Sequence, residues 1–305
     1  MEELPRKTYG GPVFTLACVI GYFTLTFLPT LRVVRGMESY DFASYYYGLH
    51  TALDGGNPYD AAALVERARA DGVGNPVYPF FYPPPALLIF LPAALFPLRD
   101  AITGMYLLNN VALAAAGWVL WVLLGRRKEL LPALAFILLT FSPIQINNQW
   151  GQVNLWVLLL LVAGLALIHR GCDLPGGLFL GAAAMLKISP ALCIAWMVYK
   201  RRWRAVAGAA VAAGLLTLIS LPLVAPRYQA HFYTQVLPEF RAGGNYSGLS
   251  ISLRSIGIHS MPRLWYLLFP NPDSRTVLSP GASAASSISA LALVLCVALA
   301  LRTGR

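Results

Sequence analysis

The chain has 305 residues, 57% of them hydrophobic and only 12% charged, where a soluble domain carries about 25% charged residues. That composition excludes an ordinary soluble globular protein. The formal charge of +10 sits in short basic clusters between apolar runs, the pattern of cytoplasmic loops rather than of a nucleic-acid-binding surface.

Arg6 and Lys7 precede a first apolar run at about 12–31. It is long enough to span a bilayer and lacks a small-residue cleavage site, so it reads as an uncleaved helix. A long polar segment, Arg32–Pro85, follows directly. Further apolar candidates lie at about 84–98, 101–124, 130–146, 154–169, 175–187, 189–199, 205–225 and 282–301. Several are short. The breaks around Lys187–Pro190 and Pro143–Asn154 read as helices interrupted near one membrane face, which is tolerated where backbone lines a protein cavity. Cys18, Cys172, Cys193 and Cys296 form no CxxC pair, so neither a disulfide framework nor a zinc site is supported.

Basic clusters set the topology. Arg126–Lys128, His169-Arg170, Lys200–Arg204 and the terminal Arg302 and Arg305 all belong inside. They fall there together only if 84–98 does not cross. Ala86–Leu98 as a helix covers about 20 Å against a hydrocarbon core of about 30 Å, so it reads as a juxtamembrane or re-entrant helix. The expected architecture is an all-α polytopic integral membrane protein, one domain over 1–305, with about eight spans and both termini inside. Three elements then share the outer face: the loop 32–100 with its juxtamembrane helices, the stretch 147–154, and a second long loop at about 226–280.

Candidate chemistry converges on that face. Asp41 stands beside Tyr40, Phe42 and Tyr45–Tyr47. A carboxylate among aromatics loses solvation and its pKa rises toward neutrality, as a general base requires. Glu38 is the nearest alternative, with less aromatic shielding. Gly55–Asp60 is a turn by composition, in which Asn57 offers an amide to a sugar hydroxyl. Tyr82 opens the Pro83-Pro84-Pro85 entry into the juxtamembrane segment. The stretch Asn147–Asn154 places the amides Asn147, Asn148, Gln149, Gln152 and Asn154 between two apolar runs. Amides both donate and accept, as sugar hydroxyls demand, but they also satisfy one another and helix ends. Lys187, beside the Ser189-Pro190 break, is a candidate ligand for a lipid phosphate, because intramembrane lysines face a cavity or a partner. Arg254 is a second phosphate candidate, with interfacial snorkelling as its bland reading. His231 and His259 lie in the same loop as lone histidines and carry no assignment. No Walker A, GxGxxG, HExxH or GxSxG motif occurs, and no DxD pair accompanies Asp41, so no metal site or cofactor is expected. Basic side chains must then stabilise departing phosphate charge.

The segments DFASYYYGLHTALDGGNPYD, YPPPALLIFLPAALFPL, NNQWGQVNLWVLLLLVAGLAL and GGLFLGAAAMLKISPALCIAWMVYKRRWRA follow in order. In this order the chain resembles glycosyltransferase family 87, the polyprenol-phosphate-mannose-dependent mannosyltransferases of the GT-C superfamily, over about residues 10–260. The resemblance implies transfer of a sugar, mannose in this family, from a polyprenyl-phosphate donor to a lipid or glycan acceptor. It implies reaction at the extracytoplasmic face of the plasma membrane, with inversion and without metal. It assigns Asp41 as the catalytic aspartate, Lys187 to an LKxxP motif, Gln152 and Asn154 to a GQxN motif, and Arg254 more loosely to a phosphate role. Family members run longer, so the chain also reads as a short or truncated member, which leaves an inactive form as one alternative. A transporter or lipid flippase is the other. It would explain broken helices and an intramembrane lysine, but not an aromatic-rich outer loop straight after the first span, and no internal repeat is visible.

Overall fold

The structure, a computed structural model, describes residues 10–34, 40–74, 77–238 and 279–303, with a few single positions between 264 and 273. All regular structure among the described residues is helical. The chain divides into two compact units, Met1–Gln229 and Ala230–Arg305.

In the first unit, α1 (Gly10–Tyr22) runs through a π-helical turn, Phe23–Phe27, into α2 (Leu28–Val34). Next come α3 (Tyr40–Leu53), α4 (Ala61–Ala70), a 3-10 helix at Pro84–Leu95 and α5 (Leu98–Leu123). The bent pair α6 (Leu131–Thr140) and α7 (Ser142–Gln149) is followed by α8 (Asn154–His169), α9 (Asp173–Leu186), α10 (Ala191–Tyr199) and α11 (Trp203–Ser220). The second unit contains a π-helical turn at Phe232–Val236 and a helix at Pro280–Thr303.

Among the described residues, three helices are long and apolar enough to cross a membrane: Gly11–Val34, Leu98–Leu123 and Trp203–Ser220. The bent pair Lys128–Thr140 and Ser142–Gln149, which turns by 44°, makes a fourth if it is one span. The expected count of about eight is therefore not reached by this measure among the described residues. The shortfall lies in length. The apolar helices Asn154–His169 and Asp173–Leu186 cover only about 24 and 21 Å at 1.5 Å per residue. The apolar exteriors match a lipid environment; Leu25 is 80% and Leu192 74% exposed.

The bend between α6 and α7 has a sequence cause. Pro143 sits in the first turn of α7 and lacks the N–H that would reach Leu139 in a continuous helix. The Gln145 side chain takes over that acceptor, its Nε2 donating to the Leu139 carbonyl at 3.1 Å. The segment 84–98, expected as one helix, is instead a 3-10 helix that ends at Leu95. Pro84 and Pro92 lie within it, and each removes a backbone donor. It packs on α3, α9 and α11, burying Ala86, Leu87 and Phe90.

Small residues bring α8, α9 and α11 together. A Cβ on Gly177 would overlap the Ala205 carbonyl oxygen, one on Gly181 the Ala209 carbonyl, and one on Gly208 the Leu174 carbonyl. Gly164 and Gly176 play the same part between α8 and α9. Close backbone approach across small residues is the usual means of helix association where lipid supplies no hydrophobic drive. Gly177→Ala is expected to destabilise the unit by about 1–3 kcal/mol, the range for overpacking. Gly104 in α5 meets nothing within 4 Å, so Gly104→Ala should gain up to about 1 kcal/mol from helix propensity. Thermal denaturation of the two variants in one detergent checks both signs.

Candidate active site

The site begins with a helix end. Helix α7 stops at Gln149, and Gly151 takes the left-handed conformation with φ 64°, which a side chain would strain. The Gly151 N–H donates to the Asn148 carbonyl at 3.2 Å and the Gln152 N–H to the Asn147 carbonyl at 3.0 Å. This is the Schellman arrangement of a glycine-terminated helix. The Asn147 and Asn109 side chains add donors to the Gln152 carbonyl, at 3.3 and 3.0 Å. Gln152 is thereby fixed by its own backbone before its side chain does anything.

Helix α3 docks on the same turn. The first N–H groups of a helix have no intrahelical partner, and that of Phe42 donates to the Trp150 carbonyl at 3.2 Å. This contact brings Asp41, in the first turn of α3, against Gln152. Beneath it lies an aromatic platform. Tyr45 stacks on Phe90 with centroids 4.5 Å apart and meets the Tyr82 ring edge-on at 4.9 Å. Phe42 packs edge-on against Phe90. Ser44 Oγ donates to the Pro79 carbonyl at 3.2 Å and Tyr46 Oη to the Phe96 carbonyl at 3.0 Å, which ties α3 to both flanks of the 3-10 helix.

Four side chains from three parts of the sequence then join in a line. Gln152 Nε2 donates to Asp41 Oδ2 at 2.5 Å. Asn154 Nδ2 donates to Gln152 Oε1 at 2.7 Å. Lys187 Nζ donates to Asn154 Oδ1 at 2.8 Å. Lys187 enters at the C-terminus of α9, where its backbone turns extended at φ −154°, ψ 135°. The break between α9 and α10 read from Ser189-Pro190 is what releases it from the helix.

The electrostatics follow the burial. Desolvation raises the Asp41 carboxyl above its usual range, against the opposing effects of the Gln152 hydrogen bond and the Lys187 charge. The direction is the one expected, and burial is its largest cause. Burial likewise pushes Tyr82 up to about 12, and Tyr45 well above the ordinary tyrosine value. Both phenols therefore stay protonated at neutral pH and leave Asp41 and Lys187 as the ionisable ends of the line.

The remaining sequence candidates fall differently. Asn147 is 4% exposed and supports the turn beneath Gln152 rather than standing open to a ligand. Asn57 Oδ1 accepts from the Tyr59 N–H at 3.1 Å, an Asx turn that leads into α4, whose N-cap Asp60 accepts from Ala62 and Ala63. The structure does not bring Asn57 to the Asp41 cluster. Tyr82 does reach it, but as a buried ring whose carbonyl accepts from Tyr59 Oη at 2.9 Å. Glu38, Arg254 and His259 lie outside the described residues. Among the described residues, no group of three or more His, Cys, Asp or Glu side chains is arranged to hold a metal ion.

Sequence reasoning missed Asn109. It is fully buried in α5 and reaches across to Gln152. Its signal was available, because an asparagine pair inside the apolar run 101–124 marks an interior-facing surface. Gly151 was also passed over. Replacing it with valine is expected to strain the turn, displace Gln152 and lower activity at least tenfold, with the helix content in circular dichroism retained.

These features define an all-helical membrane protein with a carboxylate–amide–lysine site set on an aromatic platform. The chain belongs to glycosyltransferase family 87, whose sequence profile matches residues 80–305. Asp41 lies ahead of the matched stretch and stands on its own geometry. A polyprenol-phosphate-mannose-dependent alpha-(1-2)-phosphatidylinositol pentamannoside mannosyltransferase of Mycolicibacterium smegmatis is 27% identical over 165 residues, covering 53% of this chain and 40% of its own length. A polyprenol-phosphate-mannose-dependent alpha-(1-2)-phosphatidylinositol mannoside mannosyltransferase of Mycobacterium tuberculosis is 27% identical over 198 residues, 60% of this chain and 45% of its own length. The chain thus spans less than half the length of these relatives. No solved structure matches it.

Proposed function

We propose that this chain is a membrane hexosyltransferase that moves mannose from a polyprenyl-phosphate donor to a hydroxyl of a lipid or glycan acceptor. The single observation that supports it most is the pairing of a desolvated carboxylate with a lysine through two amides. A sugar phosphate donor needs those two groups: a base for the incoming hydroxyl and a cation for the departing phosphate.

In this reading Asp41 takes the acceptor hydroxyl proton. The hydroxyl oxygen attacks the anomeric carbon from the face opposite the phosphate. The bond between that carbon and the phosphate oxygen breaks, its electron pair leaves with the polyprenyl phosphate, and the configuration inverts. Lys187 holds the phosphate. The reaction takes place at the extracytoplasmic face of the plasma membrane and uses no metal ion. The donor chain lies between helices; an apolar cavity of about 570 Å³ lined by Val19, Leu113, Trp118, Leu134 and Leu138 among others supports that part. The names of the relatives support mannose as the sugar and a phosphatidylinositol mannoside type of acceptor.

The test is transfer of labelled mannose from synthetic polyprenyl-phosphate mannose into a membrane lipid extract by purified protein. Labelled lipid should appear, and EDTA should leave the rate unchanged. No transfer to any lipid or glycan fraction would reject the reading. A rate abolished by EDTA and restored by manganese would reject its metal-free part.

A further inference from the structure

The line from Lys187 to Asp41 has a direction. An ammonium donates and never accepts, so Asn154 must turn its oxygen toward Lys187. The observed bond, Nζ to Oδ1 at 2.8 Å, has that sense. The asparagine amide is then left with its nitrogen facing Gln152, which must present Oε1, and the glutamine nitrogen is left facing Asp41. Each amide has two possible orientations, and the donor-only cation at one end and the acceptor carboxylate at the other select the same one for both. An ionised Asp41 accepts only and favours the same sense, but with Lys187 gone a protonated Asp41 can donate to Gln152 Oε1 and both amides can reverse.

We infer that Gln152 and Asn154 are positioning residues, forming a one-way hydrogen-bond relay through which Lys187 fixes the face of the Gln152 amide that meets Asp41. They do this in place of contacting the sugar. The inference rests on the proposed function for its consequence: a donor phosphate that draws Lys187 away from Asn154 releases the relay. Asp41 then loses a pre-oriented donor and becomes a stronger base when the donor is bound. The base is strengthened at the moment it is needed and held in check otherwise.

Among the described residues, the groups that bear on Asp41 are few. Lys187 and Gln152 favour its charged form, and Tyr45 and Tyr82 feel its charge in return. The 3-10 helix packed on α3 contains no ionisable side chain. On α4, Arg67 pairs with Asp54 at the far end of α3, away from the first turn.

Infrared pH titration of the full chain in detergent tests the relay without any substrate. The Asp41 band is assigned by its loss in Asp41→Asn. Asn154→Leu, which touches Lys187 and Gln152 but not Asp41, should raise the Asp41 midpoint by about one unit, tenfold in proton affinity. Gln152→Met should raise it at least as far. In the Gln152→Met background, Asn154→Leu should add nothing, because the line is already cut. Asn154→Ala makes the same cut where the leucine variant does not fold. An unchanged midpoint in both Asn154 variants, or an equal shift in both backgrounds, overturns the relay, the second outcome by showing that the effect passes through space. Farnesyl phosphate, added to the wild-type protein, should also raise the midpoint. If it does not while the variant cycle behaves as stated, the relay stands and the phosphate role of Lys187 falls.

Discussion

Asp41→Asn protein is expected to lose transferase activity by about 10²–10⁴-fold, the usual contribution of a positioned general base, while keeping its fold. The substitution is nearly isosteric. An asparagine at 41 can still accept from Gln152 Nε2 through its oxygen, so the docking of α3 on the Trp150–Gln152 turn is undisturbed. What is lost is only the capacity to take a proton. The pH dependence gives a second reading. Burial holds the Asp41 carboxyl above the usual range, so the base is in its active form only above that raised value. The rate should therefore fall as pH falls through a point higher than about 4, the ordinary carboxylate value. Measurement of kcat/KM against pH checks this. An acid limb at the ordinary value would mean that the aromatic platform does not desolvate the working carboxylate, and full turnover by Asp41→Asn protein would remove Asp41 from the mechanism.

The parts of this site differ in how far they can be read from sequence. Asp41 and Lys187 are legible because charge is scarce in this chain, and each stands where an apolar pattern breaks. Gln152 and Asn154 are legible as amides, but not as partners of Asp41. Their link depends on two things that no local pattern encodes: the left-handed turn at Gly151 and the docking of the α3 N-terminus on the Trp150 carbonyl. Asn57 illustrates the converse. Its turn composition was right, and the same local preference that makes asparagine favour turns uses up its oxygen on the Tyr59 N–H. The 84–98 segment read as an apolar helix too short to span, and its partners α3, α9 and α11 are tertiary facts. Its 3-10 form follows from prolines whose number, and not only presence, has to be weighed. The span count suffers most. Short apolar helices such as α8 and α9 read alike whether they cross fully, cross as broken pairs or stop part way.

Lys187→Met protein should lose about 10²–10³-fold in kcat, the cost of removing one group that stabilises transition-state charge, with a rise in KM for the lipid-phosphate donor. The fold should survive. In this line Lys187 bonds directly only to the Asn154 oxygen, and with the cation gone Asp41 keeps its Gln152 hydrogen bond and can take up a proton, so removing Lys187 breaks no direct ion pair. Methionine retains the length and apolar stem of lysine, which suits a half-buried position between α9 and α10. The two effects on rate and on KM separate the possible roles. A residue that only binds donor would raise KM and leave kcat alone, whereas one that also meets the charge of the leaving phosphate lowers kcat. Lys187→Arg sharpens the distinction, because guanidinium keeps the charge but needs more room and a planar partner. It should recover donor binding better than turnover. Lys187→Met protein should further show an acid limb displaced to higher pH, since the cation that favours ionised Asp41 is gone. A variant with normal kcat, normal KM and an unmoved acid limb would leave Lys187 as a lysine that merely caps the end of α9.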